Sequence, residues 1–135
     1  MAGYSDTPLI KKLGIKEEAR VLIVNAPKNF LSTLGSLPVK AKLLKTNSKA
    51  IDFVLLFSIT EKKLEKEFPQ FARKLVSNGM LWVAWPKKSS GVPTDLSFEN
   101  VQRLGLKAGL VDVKICAIDD VWSGLKFVYR LKDRR

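Results

Sequence analysis

Residues 52–58, DFVLLFS, are the strongest indication of the fold class, because Phe53 to Phe57 is apolar on both faces of an extended chain. A strand of this kind has both faces covered and is typical of the middle of a parallel sheet. Thr60, two residues further on, can cap a helix. The apolar positions of that helix follow spacings of four, three and four. They are Leu64, Phe68, Phe71 and Leu75. The segment therefore predicts a buried strand followed by an amphipathic helix.

Two features inside and after this helix predict its interruption. Pro69 has no N–H to donate and is expected to kink or break the helix. The pair Asn78-Gly79 is typical of a helix stop.

Five further strands are expected around the first one, from their β-branched and aromatic runs or their alternation. Lys40–Lys45 alternates basic and apolar residues, which predicts a strand with one wet face near a sheet edge. Trp82 and Trp85 are three residues apart and should point to opposite sides, into the core. The five strands are Val21–Asn25, Lys40–Lys45, Met80–Trp85, Asp112–Ile118 and Leu125–Leu131.

Three more helical segments are indicated by their ends. Thr7 is expected to cap the first, with Pro8 in its first turn and Gly14 at its end. Asn29–Leu34 is a short helix or turn, and Ser97 should cap a helix that continues to Ala108. Strands that alternate with helices in this way predict a mostly parallel α/β sheet with helices on both faces. A turn at Asp119–Gly124 should make the final strand pair antiparallel. The whole chain, residues 1–135, is expected to be one domain.

Composition excludes several function classes. The sequence has no histidine and a single cysteine, Cys116, which excludes histidine-based nucleophile pairs and an intrachain disulfide. Cys116 lies in an apolar segment and is expected to behave as a small buried hydrophobe. No apolar run is long enough for a membrane span or a secretory leader, so the protein is expected in the cytoplasm without membrane insertion. The net charge of +11 favours anionic partners.

Parallel sheets bind ligands at the carboxyl ends of their strands, which brings four polar segments to one edge. The candidate ligand-binding residues there are Asn25, Lys28, Thr60, Lys87, Lys88, Ser89, Ser90, Trp122 and Ser123. The loop KKSSGVPTD is the richest, because two ammonium groups and two hydroxyls can hold a phosphate or carboxylate. An ordinary solvated loop is the alternative interpretation. Trp122 can stack on a planar ligand or pack the hairpin on the sheet, and Asp119-Asp120 favours hairpin capping over acid/base chemistry.

The segments VLIVN, LWVAWP and KAGL, with the closing hairpin, resemble the class I S-adenosylmethionine-dependent methyltransferases. The resemblance implies a truncated Rossmann-like sheet with the order 2-1-3-4-6-5 and an antiparallel last strand. In that family the first strand enters a glycine-rich turn, whereas this sequence has NAPKNF, with Asn25 and Pro27 in place of glycines. The second strand should end in an acid that binds ribose, and Lys45-Thr46-Asn47 offers none. We therefore expect neither a cofactor nor a metal.

Four segments are similar to a family of small bacterial proteins known only as a domain of unknown function. They are YSDTPLIKKLGIK, VLIVNAP, LWVAWPKKSSGVPTDL and AIDDVWSGLKFVYR. The resemblance implies no activity. We expect a non-enzymatic module that binds an anionic small ligand or partner at the strand-end edge. The alternatives are sequence-independent nucleic-acid binding through a dispersed basic surface, and a divergent transferase.

Overall fold

Six strands form one mixed sheet at the centre of a computed structural model, which describes residues 7–134. They are β1 (Arg20–Val24), β2 (Lys42–Leu43), β3 (Ile51–Phe57), β4 (Leu75–Pro86), β5 (Leu110–Ala117) and β6 (Trp122–Tyr129). Their order across the sheet is β2-β1-β3-β4-β6-β5. The first four are parallel, and β6 is antiparallel to both of its neighbours. The predicted strand order and the antiparallel final pair are confirmed.

Helices cover both faces of this sheet. They are α1 (Leu9–Leu13), α2 (Phe30–Leu34), α3 (Glu61–Ala72) and α4 (Phe98–Lys107). Leu13 and Trp82 belong to the apolar core under α1 and α2, which we call the α1 face. Phe68 and Trp85 belong to the core under α3 and α4, which we call the α3 face. The two tryptophans are therefore buried on opposite sides of the sheet, as their spacing predicts.

Helix α3 begins as expected but is not broken at Pro69. The Thr60 hydroxyl accepts a hydrogen bond from the Lys63 N–H at 3.3 Å, which confirms the cap. The helix then continues through Pro69 to Ala72. Phe68 and Phe71 are buried on either side of Pro69, so packing of the apolar stripe holds the helix where one backbone hydrogen bond is missing.

The prediction that Asn78-Gly79 stops a helix is wrong. Both residues lie inside β4, where the six residues from Leu75 to Met80 lie opposite the three residues from Ile51 to Phe53 of β3. A Cβ on Gly79 would lie 3.0 Å from the carbonyl oxygen of Asp52. The glycine is needed for this close approach of two strands, and its turn-like composition reflects a β-bulge.

Strand β2 is shorter and less regular than its sequence suggests. Only Lys42 and Leu43 form it, and both are exposed, although alternation predicted a covered side for Leu43. Lys40 has a φ of 61°, which breaks the extended conformation before the strand begins. Its position at one edge of the sheet is as predicted.

The ends of the remaining elements shift by a few residues. Thr7 does not cap α1, because Pro8 occupies the N-cap position and no side chain makes the capping hydrogen bond. Ser97 does cap α4, in a reciprocal pair with Asn100. Strand β6 starts at Trp122, three residues before the expected Leu125, because the hairpin turn is tighter than predicted.

The β5–β6 hairpin is packed tightly on its α3 face. Gly105 of α4 lies against Phe127, and a Cβ at this glycine would lie 2.0 Å from a ring carbon of Phe127. On β5 the register shifts between Asp112 and Lys114, which leaves Val113 as a bulged residue on the edge strand.

Candidate functional site

The carboxyl ends of β1, β3 and β4 lie at one edge of the sheet, together with the turn that precedes β6. We call this the carboxyl-end edge. It carries the candidate residues that the sequence assigned to ligand binding. The hydrogen bonds below show which of these side chains are engaged by the protein itself.

Asn25 follows β1 and connects three elements. Its backbone has a φ of 60°, a left-handed conformation that asparagine tolerates better than most residues. Its side-chain amide donates to the Phe57 carbonyl at the end of β3 (3.4 Å) and to the Glu67 carboxylate on α3 (3.1 Å). The side chain thus spans the space between β1 and β3, where the strand order reverses.

Thr60 has a structural task at the start of α3. Its hydroxyl caps the helix by accepting a hydrogen bond from the Lys63 N–H. In addition, the Asp95 carboxylate accepts a hydrogen bond from the Glu61 N–H at 2.7 Å. The Thr94 hydroxyl donates to the Ile59 carbonyl, also at 2.7 Å. The first turn of α3, where an anion would be stabilised by the helix dipole, is therefore already occupied by the protein's own oxygens.

The Lys87–Ser90 turn is held by its own hydrogen bonds. The Lys87 N–H donates to the Val121 carbonyl at 2.7 Å, and the Ser90 hydroxyl donates to the Lys87 carbonyl at 2.7 Å. Ser90 also accepts from the Val92 N–H, so its hydroxyl serves the turn. Lys88 and Ser89 are exposed, and Lys87 is partly exposed. Lys28 is exposed in the β1–α2 connection, and no hydrogen bond among residues 7–134 joins it to this turn.

Trp122 packs on the sheet. Its ring meets Phe57 edge to face, with centroids 5.0 Å apart, and Phe57 meets Phe30 in the same way at 4.9 Å. Ser123 pairs with Trp85 in β4 and lies within the sheet. These contacts favour the packing interpretation of Trp122 over ligand stacking.

Asp119 closes the hairpin turn, as the sequence predicts. One carboxylate oxygen accepts from the N–H groups of Val121 and Trp122, both at 2.8 Å. The neighbouring Asp120 is exposed and makes no hydrogen bond among the described residues. The two acids have separate surroundings, which does not suit shared acid/base chemistry.

Cys116 is partly buried on edge strand β5 and packs against the core of the α1 face. Burial raises the pKa of its thiol, and the nearby Lys12 and Lys114 ammonium groups oppose that shift. A raised pKa keeps the thiol protonated, as expected of a small hydrophobe.

Glu67 and Asp95 were not singled out by the sequence, although both organise the carboxyl-end edge. Glu67 lies 42 residues from Asn25, and only the packing of α3 beside β1 brings them together. Asp95 was noted as the end of a polar loop. Nothing in its local pattern indicates that it faces the start of α3, 34 residues away.

Among residues 7–134, surface grooves also lie away from this edge, and four of them are defined by their lining residues. Three are at the opposite, amino-end edge: one of about 240 Å³ beside Gly14 and Asp52, one of about 510 Å³ beside Tyr129, and one of about 610 Å³ beside Lys42. The fourth, of about 370 Å³, lies between α3 and α4 at Pro69. Within residues 7–134, no three acidic or sulfur side chains are grouped to hold a metal ion. No helix in that range has the length and hydrophobicity to cross a membrane.

The fold is that of the S-adenosylmethionine-dependent methyltransferases, as comparison with solved structures shows. A methyltransferase of this kind from Aquifex aeolicus matches with a TM-score of 0.66 at 15% identity, over 88% of this chain and 86% of its own. Aeropyrum pernix fibrillarin, solved with S-adenosylmethionine, matches with a TM-score of 0.59 at 10% identity, over 93% and 70%. The O-methyltransferase NcsB1 from neocarzinostatin biosynthesis matches with a TM-score of 0.63 at 14% identity; this chain is covered to 96% and spans about half, 51%, of NcsB1. No family model and no curated protein sequence matches the chain. At these identities the likeness concerns the fold alone.

Proposed function

We propose that this protein is a binding module without catalytic activity, which holds an anionic small ligand or partner at the carboxyl-end edge. The Lys87–Ser90 turn is the observation that carries the proposal. Its backbone is fixed by hydrogen bonds to Val121 and within the turn, so Lys87, Lys88 and Ser89 are presented on a rigid support. Neither lysine forms an ion pair within residues 7–134, where the ion pair is Arg103 with Glu61. Both ammonium groups are thus available to an anion.

The acids of the same edge do not cancel this positive charge by contact. Asp95 accepts from the backbone of α3, Asp119 accepts from the hairpin turn, and Glu67 accepts from Asn25. These three carboxylates serve structural hydrogen bonds, and the exposed Asp120 forms no ion pair with Lys87 or Lys88 among residues 7–134, so the Lys87–Ser90 turn keeps its lysines for a ligand.

S-adenosylmethionine does not suit these residues. Asn25 takes the place of a glycine, and its side chain reaches Phe57 and Glu67 across the space that a cofactor would enter beside β1. The residues after β2, Lys45-Thr46-Asn47, supply no carboxylate for a ribose. Calorimetric titration should detect no binding of S-adenosylmethionine at or below a Kd of about 10 μM, near −7 kcal/mol. Tighter binding would overturn this part of the proposal and favour a divergent transferase.

Native mass spectrometry of the purified protein tests whether an anion is bound, and pyrophosphate serves as the defined probe in calorimetry. The variant Lys87→Gln/Lys88→Gln should lose the bound anion or weaken pyrophosphate binding by on the order of tenfold or more, since each charge-assisted hydrogen bond contributes about 1.5–3 kcal/mol when shielded. Both side chains project from a surface turn, so the fold should be unchanged by circular dichroism.

The matched control is Lys107→Gln/Lys132→Gln, which removes two exposed lysines at the other end of the sheet. It should leave pyrophosphate binding nearly unchanged. Equal losses in the two double variants would mean that only the total charge matters, and the Lys87–Ser90 site would be wrong.

Several finer expectations stay proposals. They are the single-domain organisation of residues 1–135, the cytoplasmic location and the relationship to the small bacterial family. A module function agrees with the fold, because this fold supports activities that are set by the site and not by the architecture.

A further inference from the structure

The α1 face of the β5–β6 hairpin carries two lysines that face each other. Lys114 on β5 and Lys126 on β6 are directly paired residues of an antiparallel ladder, so their side chains leave the sheet on the same side. Lys126 is also paired with Trp82 on β4, which belongs to the core under α1. Like charges in directly opposite positions are destabilising. The hairpin therefore holds a repulsive pair on one face.

Helix α1 and the segment that follows it add two more lysines to this pair. The Lys114 ammonium donates to the Lys12 carbonyl at 2.8 Å, and the Lys12 ammonium donates to the Ala117 carbonyl at 2.8 Å. The Trp82 indole N–H donates to the Leu13 carbonyl at 2.9 Å, which fixes the end of α1 over the sheet. Lys16 follows two residues after the Gly14 cap. We call Lys12, Lys16, Lys114 and Lys126 the lysine cluster.

No carboxylate balances the lysine cluster by direct contact. Among residues 7–134, none of its four members forms an ion pair. Burial lowers the pKa of Lys126, and the positive charges of Lys114 and Lys16 lower it further. Burial is the larger cause, and the positive charges of the neighbouring lysines act in the same direction.

We propose that the lysine cluster is a contact surface for the phosphate backbone of a nucleic acid. Small ligands prefer concave sites, and of the four grooves described above only the one beside Gly14 includes a member, Lys16. An open face with several ammonium groups suits an extended polyanion, and lysines act there as point charges on successive phosphates. This surface is separate from the Lys87–Ser90 turn, so the test of nucleic-acid binding does not depend on whether the turn binds an anion.

An anionic membrane surface is the weaker alternative for the same charges. Membrane binding gains from apolar side chains beside the basic ones. β5 carries two exposed apolar residues, Val113 in the bulge and Ile115, which is 55% exposed. Ile115 is paired with Leu125 of the α3-face core and points to the other side. The basic face thus lacks Ile115 as an apolar partner.

Fluorescence anisotropy with a short labelled DNA duplex of mixed sequence tests the surface as a function of salt. The variant Lys16→Gln/Lys114→Gln should weaken binding by about tenfold or more at low salt. It should also reduce the slope of log K against log salt by about two, or roughly 0.9 per lost phosphate contact. The variant Lys107→Gln/Lys132→Gln has the same charge and should change the slope by much less. A second duplex of different sequence should bind equally well, because phosphate contacts carry no sequence information.

Acetylation footprinting on the unmodified chain gives a readout that does not depend on any variant. Bound duplex should protect Lys16 and Lys114 from acetylation, and should leave Lys107 and Lys132 reactive. Equal slopes in the two double variants, or no selective protection, would overturn the proposal in favour of dispersed charge. It would also be overturned if wild-type protein bound anionic vesicles or inorganic pyrophosphate through these lysines while ignoring the duplex.

Discussion

The two faces of the β5–β6 hairpin have opposite characters, although their residues alternate along the same strands. On the α3 face, Leu125 and Phe127 are fully buried, and Gly105 lets α4 approach the Phe127 ring. On the α1 face, Lys126 lies between these two residues in sequence and is paired with Lys114. One hairpin can therefore stabilise the fold on one side and hold uncompensated charge on the other. The free energy of folding gained on the α3 face permits the repulsion on the α1 face.

Replacement of Gly105 should have the largest effect on stability, because it disrupts the close packing of the hairpin on its α3 face. Gly105→Ala places a methyl group 2.0 Å from the Phe127 ring, so α4 or the ring must move. We expect a loss of about 3 kcal/mol in the free energy of unfolding, measured by urea denaturation. Alanine is favoured over glycine in a helix by about 1 kcal/mol, so Gly105→Ala would stabilise the protein if the contact with Phe127 did not matter. A loss of stability is therefore evidence for that contact.

Phe127→Leu in the same background provides the control for Gly105→Ala. A smaller side chain at 127 should relieve part of the clash, and the double variant should lose less than the sum of the two single variants. Additive losses would show that the glycine is not required by this ring.

Replacement of Asp119 should have a smaller effect, because it loosens the turn that joins strands β5 and β6. Asp119→Ala removes both hydrogen bonds from the Val121 and Trp122 N–H groups. We expect the free energy of unfolding to fall by about 2 kcal/mol. Asp120→Ala removes the same charge from the adjacent exposed position and should cost about 0.5 kcal/mol or less. Equal effects of the two variants would contradict the assigned role of Asp119.

Replacement of Lys126 should have the smallest effect on stability, and one of opposite sign, because it removes the repulsion between Lys126 and Lys114. Lys126→Met should stabilise the protein by a few tenths of a kcal/mol, about the cost of an opposed like-charge pair, and less at high salt. The charged groups around Lys126 are Lys114 on β5 and Lys16 after α1, and burial beside Trp82 is the larger cause of its lowered pKa.

The pH dependence of this effect has a definite sign. The free-energy cost of the charged Lys126 to the folded wild-type protein is complete while Lys126 is protonated in both the folded and the unfolded state. It disappears as pH rises through the lowered folded pKa towards the usual lysine range, because the folded state then binds fewer protons. The advantage of Lys126→Met should therefore shrink as pH rises from 7 towards that range, in parallel urea denaturation series. An advantage that is constant with pH would indicate an effect of packing alone.

Sequence patterns sufficed for the sheet because its central strands are strongly apolar. Phe53 to Phe57 and Leu81 to Trp85 are buried as their composition predicts, and strand order followed from the resemblance. Sequence patterns failed where the role of a residue depends on a partner that is distant in the sequence. Gly79 has the composition of a helix stop, but it is required by the carbonyl of Asp52 on the neighbouring strand. Pro69 should disturb a helix, but the burial of Phe68 and Phe71 outweighs its missing hydrogen bond.

The candidate sites show the same limit. The rule that parallel strands end at one edge located the Lys87–Ser90 turn, and turn preferences predicted the capping role of Asp119. Neither indicated that Asn25 and Glu67 meet, since that contact depends on how α3 lies beside β1. The lysine cluster was also missed. Lys114 and Lys126 are 12 residues apart, and a bulge at Val113 sets their register, so only the paired strands show that they face each other.

The same bulge limits how the protein can assemble. Strand β5 is the longer of the two edge strands of the sheet. Without the bulge, its exposed Val113 and Ile115 would favour pairing with a strand of a second chain. The bulge twists the open ladder out of register, and Lys114 places a charge beside it. Both are known protections against edge-to-edge growth. A lysine that repels its neighbour within the hairpin thus also helps to keep concentrated molecules from joining into fibres.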